Sequence, residues 1–167
     1  FTAVFAVPPN GPSMVPDKRI GLDGLRVLVV DDNETNRLLV GTLLQSWGCL
    51  CAEAADGAAA LETLLQAVRK GAPFHAALVD MRMPGMDGTE VLKKAKELRP
   101  HLDVIIMTGY GTIQNAIQAM KIGASDYITK PFDRDELLGA VNQILEARRL
   151  RREVDRLEAI EDFRRRG

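Results

Sequence analysis

The chain has 167 residues, which suits one globular domain with additional segments at its ends. Its formal net charge of -1 gives no electrostatic basis for binding nucleic acid or a membrane surface, and neither contact is expected. No apolar run approaches the roughly 18 residues needed to span a bilayer, and no secretory signal peptide opens the chain. Cys49 and Cys51 fit neither a disulfide framework nor a zinc site, so we expect reduced, structural cysteines in a cytoplasmic protein.

The first 23 residues are predicted to lie outside the globular domain. Apolar residues alternate from Phe1 to Val7 and predict one strand. A dense run of Pro and Gly between residues 8 and 16 is typical of an extended linker. Because the chain begins without a methionine, we expect it to be a piece of a longer protein.

Strand-like and helix-like segments alternate from Leu25 onward. Short apolar runs predict five strands, at 25–30, 50–54, 74–80, 103–107 and 125–129. Apolar residues at helical spacing predict helices at 33–47, 56–69, 89–98 and 112–122, and an Asp133–Glu136 capping box opens a fifth helix. Such an alternation predicts an α/β domain, a doubly wound parallel sheet covered by helices on both faces.

Two of these helices have a predicted apolar face. Leu38, Leu39, Thr42 and Leu43 lie on one side of the first helix. Ile113, Ala116, Ile117 and Met120 lie at helical spacing on the fourth. We expect these residues to mark the sides that pack on the sheet.

The last helix is predicted to continue past the domain without a breaker. Ala147, Leu150, Val154 and Leu157 keep three- and four-residue spacing, which suits a short coiled coil. Two heptads are fewer than a secure coiled-coil assignment needs, so a solvated helix leading toward an absent domain is the alternative. The arginines within 148–152 interleave with acidic residues, which favours a salt-bridged face over a nucleic-acid contact.

Polar side chains lie at the ends of four predicted strands. They are Asp31 and Asp32 after the first strand, Asp80 at the third, Thr108 at the fourth and Lys130 at the fifth. Open α/β sheets place their chemistry beyond the carboxyl ends of the strands, so these groups should converge on one edge. Taken alone, Asp31 and Asp32 fit a cation site or, equally well, an aspartate N-cap of the next helix, with Asn33 sharing the capping.

The combination suits phosphoryl transfer to a carboxylate. A carboxylate can act as a nucleophile and form an aspartyl-phosphate, with a cation and fixed donors on the phosphoryl oxygens. Asp31 or Asp32, with Asp80 and a backbone carbonyl near Arg82, would suit Mg²⁺, which prefers hard oxygen ligands. The ammonium and the hydroxyl at the other two strand ends would take the remaining oxygens.

Four motifs resemble the receiver domain of two-component response regulators. They are Val-Val-Asp-Asp-Asn at 29–33, Val-Asp-Met-Arg-Met-Pro-Gly-Met-Asp-Gly at 79–88, Met-Thr-Gly at 107–109 and Asp-Tyr-Ile-Thr-Lys-Pro-Phe at 126–132. The resemblance covers about Leu25 to Leu145. It implies a flavodoxin-like fold with a five-stranded parallel sheet of order 2-1-3-4-5.

The resemblance implies a role for each residue at the strand ends. Asp80 would be the phosphoacceptor, and Asp31 and Asp32 the acidic pair, with Asp32 the more direct Mg²⁺ ligand. Thr108 would be the switch hydroxyl and Lys130 the lysine that contacts the phosphoryl group.

Four further positions take implied roles. Tyr127 would be the switch aromatic residue, and Pro131 would follow a cis peptide bond. The Arg82 backbone carbonyl would join the metal ligands. Arg82 and Tyr110 would also tune the phosphoryl lifetime.

The implied function is signalling rather than enzymatic, with at most slow autodephosphorylation. A histidine kinase or a histidine phosphotransfer domain would phosphorylate Asp80 with Mg²⁺ present. The face made by the fourth helix, fifth strand and fifth helix would then change shape and control an output domain or dimerisation. A homodimer through that face or through the C-terminal helix is also expected. The alternative is a constitutive dimerisation or assembly module that signals little through phosphorylation.

These features divide the chain into three parts. Residues 1–23 form the N-terminal segment and linker, 24–147 the receiver domain, and 148–167 a helix toward an absent output domain. Phe1 to Phe5 resembles the closing strand of a histidine-kinase ATPase domain, so a hybrid histidine kinase is one candidate parent. The long last helix instead resembles those of nitrogen-regulatory-type transcription activators, and both parents remain open.

Overall fold

The computed structural model describes residues 22–109 and 113–167, which form a parallel sheet flanked by helices. The strands are β1 Arg26–Val30, β2 Leu50–Ala54, β3 Ala76–Asp80, β4 Asp103–Thr108 and β5 Asp126–Thr129, in the order β2-β1-β3-β4-β5. The helices are α1 Glu34–Ser46, α2 Gly57–Arg69, α3 Gly88–Leu98, α4 Ile113–Ile122 and α5 Arg134–Arg166. The predicted fold class, strand order and long C-terminal helix are confirmed.

Some sequence predictions fall outside the described residues. These are the strand at Phe1 to Val7, the Pro-rich linker as far as residue 21, Tyr110, and Thr112 as the first residue of the fourth helix. Among the residues that are described, no helix is both long and apolar enough to cross a membrane.

The central strands β1, β3 and β4 send alternate side chains into two separate cores. Val27 and Val29 of β1 pack with residues of α1 and α5. Leu28 and Val30 pack on the opposite face, with residues of α2 and α3. Because helices cover both faces, β3 and β4 are buried at every position and read as continuous apolar runs until they reach the polar residues at their ends.

Side-chain caps set where four of the helices begin. Asn33, Asp56 and Asp87 each accept a hydrogen bond from the backbone N–H three residues onward, at the starts of α1, α2 and α3. At α5, Asp133 accepts from the Glu136 N–H, and the Glu136 carboxylate accepts from the Asp133 N–H, which confirms the predicted capping box. Because Asp87 caps α3, that helix begins one residue earlier than the sequence predicted.

The face predicted for α1 is wrong for two of its three leucines, and Thr42, predicted on the same face, is exposed. Leu38 and Leu39 are 63% and 51% exposed, and only Leu43 packs partly against the core. The side that faces the sheet instead carries Val40 and Leu44. Both stripes of this helix are apolar, so helical spacing alone does not distinguish the stripe that packs from the stripe that stays exposed.

The face predicted for α4 is right for Ala116 and wrong for two of its larger residues, Ile117 and Met120, while the Ile113 side chain lies outside the described part of the chain. Ile117 and Met120 are half-exposed, whereas Ala116 and Ala119 are buried. Small alanines allow a helix to pack closely on a sheet, which turns the larger apolar residues toward solvent. The structure therefore has exposed apolar surface on α4.

His75 lies at the amino end of β3 and accepts a backbone hydrogen bond. Its Nδ1 receives the Arg26 N–H at 2.9 Å. Burial, followed by the positive charges of Arg148 and Arg26, lowers the pKa of His75 to about 4. The folded protein therefore holds this imidazole neutral.

We expect the free energy of unfolding to decrease as the pH falls from 6.5 to 4. The lowered folded-state pKa means that the unfolded chain binds the His75 proton more readily, so this stability is present above pH 6.5 and lost below it. His75→Asn, which keeps an acceptor for the Arg26 N–H, should flatten the pH dependence in urea unfolding followed by circular dichroism. His101→Asn, at an exposed position, is the control. Equal slopes for the wild type and His75→Asn would contradict this prediction.

Candidate functional site

Three carboxylates meet at the carboxyl edge of the sheet. β1 and β3 are adjacent and parallel, so Asp31 and Asp32, which follow β1, lie beside Asp80 at the end of β3. One carboxylate oxygen from each residue lies within 4.8 Å of the other two. Asp31 and Asp80 are buried, whereas Asp32 is exposed. The structure brings together the three acidic residues that the sequence predicted.

Lys130 reaches the same cluster from the end of β5. Its Nζ lies 2.7 Å from Asp31 Oδ2 and 3.3 Å from Asp80 Oδ1. Its backbone N–H donates to the Thr108 carbonyl at 2.7 Å, which fixes its position beside β4. The peptide bond between Lys130 and Pro131 is cis, as the family resemblance implies. The ammonium thus lies between two carboxylates that would otherwise repel each other.

Asp31 is held by contacts on its side chain and its backbone. Oδ1 accepts the Asn33 N–H at 2.9 Å, while Oδ2 binds Lys130. The Arg37 guanidinium donates to the Asp31 carbonyl at 2.7 Å. Of the residues that the sequence offered as the cap of α1, Asn33 is the N-cap and neither aspartate is. Asp32 is the exposed carboxylate of the cluster.

Neighbouring groups act on the pKa of Asp80 in opposite directions. Burial raises the pKa of the Asp80 carboxyl, and the charge of Asp31 adds to that rise. The Lys130 ammonium and a backbone hydrogen bond from Arg82 act in the other direction, and the net pKa lies above its usual range. Three clustered carboxylates against one ammonium leave an excess of negative charge. Oxygen ligands in this arrangement fit a hard divalent cation.

The other predicted site residues, Thr108 and Tyr127, lie on β4 and β5. Thr108 is buried at the end of β4, paired in register with Thr129 of β5. Next to it, a Cβ added at Gly109 would meet no atom within 4 Å, so there is open space beside the cluster. Tyr127 lies on β5 with 40% of its surface exposed. The structure thus brings Thr108 to the site and leaves Tyr127 at the outer edge of the sheet.

Two residues that support the site were not identified from the sequence. A Cβ added at Gly88 would lie 2.6 Å from the Asp80 carbonyl oxygen, so only glycine allows α3 to begin against β3. The Met-Pro-Gly-Met-Asp-Gly loop was a signal for a tight connection, but not for this contact. Arg37, which fixes the Asp31 backbone, sits among ordinary helical residues and carries no local signal.

A groove of about 430 Å³ opens beside Lys130. It is lined by Asn36, Leu39, Val40, Gly109, Lys130, Pro131 and Phe132. The exposed Leu39 lies on its α1 side, so one wall is apolar and one end reaches the charged cluster.

Comparison with known proteins yields one family. Residues 27–142 match the family model of the response regulator receiver domain. The transcriptional regulatory protein ZraR of Escherichia coli K12 is 39% identical over 123 residues, which cover 74% of this chain and 27% of ZraR. The chain therefore spans only about a quarter of this curated relative's length.

Solved structures of other proteins superpose on the chain. The crystal structure of NtrX from Brucella abortus has a TM-score of 0.71 and 34% identity, covering 80% of this chain and 29% of NtrX. The CheX-CheY-BeF3-Mg²⁺ complex from Borrelia burgdorferi has a TM-score of 0.69 and 27% identity, covering 74% of this chain and 90% of the matched one.

We expect millimolar Mg²⁺ to raise the melting temperature, because a ligand that binds only the folded state stabilises it. At a hundredfold excess over the dissociation constant the gain is about 2.7 kcal/mol. Asp32→Asn should lose most of that gain in thermal melts followed by circular dichroism. Asp56→Asn is a matched control, since asparagine also caps a helix. An equal Mg²⁺ response in the wild type and Asp32→Asn would count against a cation site in this cluster.

Proposed function

This chain is a member of the response regulator receiver family, and on that basis we propose that Asp80 accepts a phosphoryl group from a phosphohistidine of a partner protein. The position of Asp80 carries this proposal. Its carboxylate lies within 4.8 Å of oxygens from Asp31 and Asp32, and 3.3 Å from the Lys130 ammonium. A nucleophilic carboxylate surrounded by oxygen ligands and a fixed cationic donor suits phosphoryl transfer.

In the proposed reaction, an Asp80 oxygen forms a bond to phosphorus as the bond from phosphorus to the donor imidazole nitrogen breaks. The electron pair of that bond stays on the imidazole nitrogen. Lys130 leaves its present position between two carboxylates to contact a phosphoryl oxygen, and the buried Thr108 hydroxyl offers a second donor. The open space beside Gly109 accommodates the incoming group.

We assign the cation to Mg²⁺. Asp31, Asp32, Asp80 and the Arg82 backbone carbonyl would hold it, and it would offset negative charge on the phosphoryl oxygens. The complex of the related CheY from Borrelia burgdorferi with BeF3 and Mg²⁺ supports this choice. Asp32 is the exposed member of the cluster and so the most accessible to an incoming ion.

Phosphorylation would act as a population shift between two packings of the domain. New negative charge at Asp80 draws the Thr108 hydroxyl toward it, and Tyr127 moves inward from its exposed position on β5. The exposed apolar side chains of α4, Ile117 and Met120, then form part of a face that changes. Slow hydrolysis of the aspartyl-phosphate would end the signal.

We propose residues 24–147 as the receiver domain and 148–167 as a connector to an output domain. The name of ZraR, a transcriptional regulatory protein, favours a transcription-activator parent over a hybrid kinase. Leu150, Val154 and Leu157 are exposed along the connector, so a homodimer through this helix is part of the proposal. The same exposed stripe supports the second candidate function, a constitutive assembly module.

Intact mass after incubation with acetyl phosphate and Mg²⁺ tests the proposal. We expect one added phosphoryl group on the wild type, and none on Asp80→Asn or in the presence of a chelator. Unchanged labelling of Asp80→Asn would refute the assignment of the acceptor. Absence of labelling in every sample, with a dimer that dissociates on truncation after Ala147, would favour the assembly module.

The groove beside Lys130 suggests where the donor protein docks. It is continuous with the phosphoacceptor cluster, and its apolar wall includes an exposed leucine on α1. A donor helix that presents a phosphohistidine to Asp80 must approach over this edge of the sheet. Burying Leu39 against such a helix would contribute about 1.5 kcal/mol, or roughly tenfold in affinity.

We expect Leu39→Asp to slow transfer from a phosphorylated histidine phosphotransfer domain about tenfold. Labelling by acetyl phosphate should stay within twofold of the wild type, because a small donor needs no docking groove. Leu98→Asp, at an exposed leucine that ends α3, serves as the control. Equal slowing of both donors by Leu39→Asp would mean that the variant damages the cluster rather than a docking surface.

A further inference from the structure

We infer that Asp103 couples the segment joining α4 to β5 with the part of α5 that extends beyond residue 147. The Asp103 carboxylate binds donors from both regions. A change in the α4–β5 segment therefore alters the contacts of Asp103 with α5, and the reverse also holds. The signalling use of this link rests on the proposed function, whereas the link itself does not.

Asp103 is the first residue of β4 and is only 5% exposed. Its Oδ1 accepts the Ser125 hydroxyl at 2.8 Å and Nη2 of Arg151 at 3.0 Å. Its Oδ2 lies 3.2 Å from the same Arg151 nitrogen and 3.7 Å from Nη1 of Arg148. One buried carboxylate thus binds donors from the α4–β5 connection and from α5.

These ion pairs lie where the apolar packing of α5 has ended. The residues that α5 buries run only as far as Ile144, and every residue from Arg149 onward is exposed. Arg148 also donates to the His75 carbonyl at 3.4 Å, which adds a second tie to the sheet. The direction in which the helical extension leaves the domain therefore depends on polar contacts.

β4 joins Asp103 and its ion pairs to the phosphoacceptor cluster. Asp103 begins the strand and Thr108 ends it, about 17 Å away at the rise of a β-strand. The intervening segment, which includes α4, leaves β4 after Thr108 and returns to it at Ser125, whose N–H donates to the Val104 carbonyl at 2.8 Å. A rearrangement of α4 that moves Ser125 must change the donors around Asp103.

The consequence for α5 follows from the chemistry of a buried carboxylate. Removing one donor leaves a lone pair unsatisfied, which destabilises the charged group or tightens its remaining bonds. Coupling between two sites is reciprocal, so loosening the Arg151 contact must also affect the Ser125 region. A purely local anchor would lack this reciprocity.

Amide hydrogen exchange on the whole unphosphorylated chain tests the coupling. Ser125→Ala should change exchange at residues 147–155 by about threefold or more, although Ser125 lies outside that helix. Arg151→Gln should reciprocally change exchange at residues 123–126 by a similar factor. Arg156→Gln is the matched control, because Arg156 pairs with Glu153 on the helix itself.

Ser125→Ala and Arg151→Gln change exposed residues, so they avoid the risk that Asp103→Asn fails to fold. If each substitution changes exchange only in its own segment, or if Arg156→Gln reproduces the distant effect, the coupling is refuted. A double variant, Ser125→Ala with Arg151→Gln, should show less than the sum of the two effects on exchange. All samples are unphosphorylated, so a failed phosphorylation assay and a failed coupling test are distinguishable.

Discussion

The bond between Lys130 and the two buried aspartates is the interaction on which this site depends. Without an ammonium between them, Asp31 and Asp80 would place two uncompensated charges at one buried point. The contact with Asp31 joins residues 99 positions apart, and the two contacts together connect the ends of β1, β3 and β5. They form only because the order β2-β1-β3-β4-β5 brings those ends to one edge. Fold and site therefore constrain each other.

The same cluster is left incompletely neutralised. One ammonium faces three carboxylates, and burial of Asp80 disfavours its charged form. A structure selected for stability alone would place apolar residues at such positions. Local departures of this kind are expected where a protein binds and reacts. Binding of a cation or another ligand at this edge of the sheet would therefore reduce the electrostatic repulsion within the cluster.

Most of the site could be predicted because each part has a local signal. An apolar run that ends in a polar residue identifies both a strand and the side chain at its end, as at Asp80. The packing side of α1 could not be predicted, since two of its stripes are apolar. The contacts of Asp103 could not be predicted for another reason. Its partner Arg151 lies 48 residues away, and no local sequence pattern links the two residues.

The continuous 33-residue α5 gives the domain a mechanical property that a broken helix would lack. Its segment past residue 147 is about 28 Å long at the rise of an α-helix. A tilt of about 10° where the helix leaves the sheet would move its far end by about 5 Å, close to one helical turn. A small rotation of the domain would therefore displace the far end of the extension by enough to change the register of a helix packed against it.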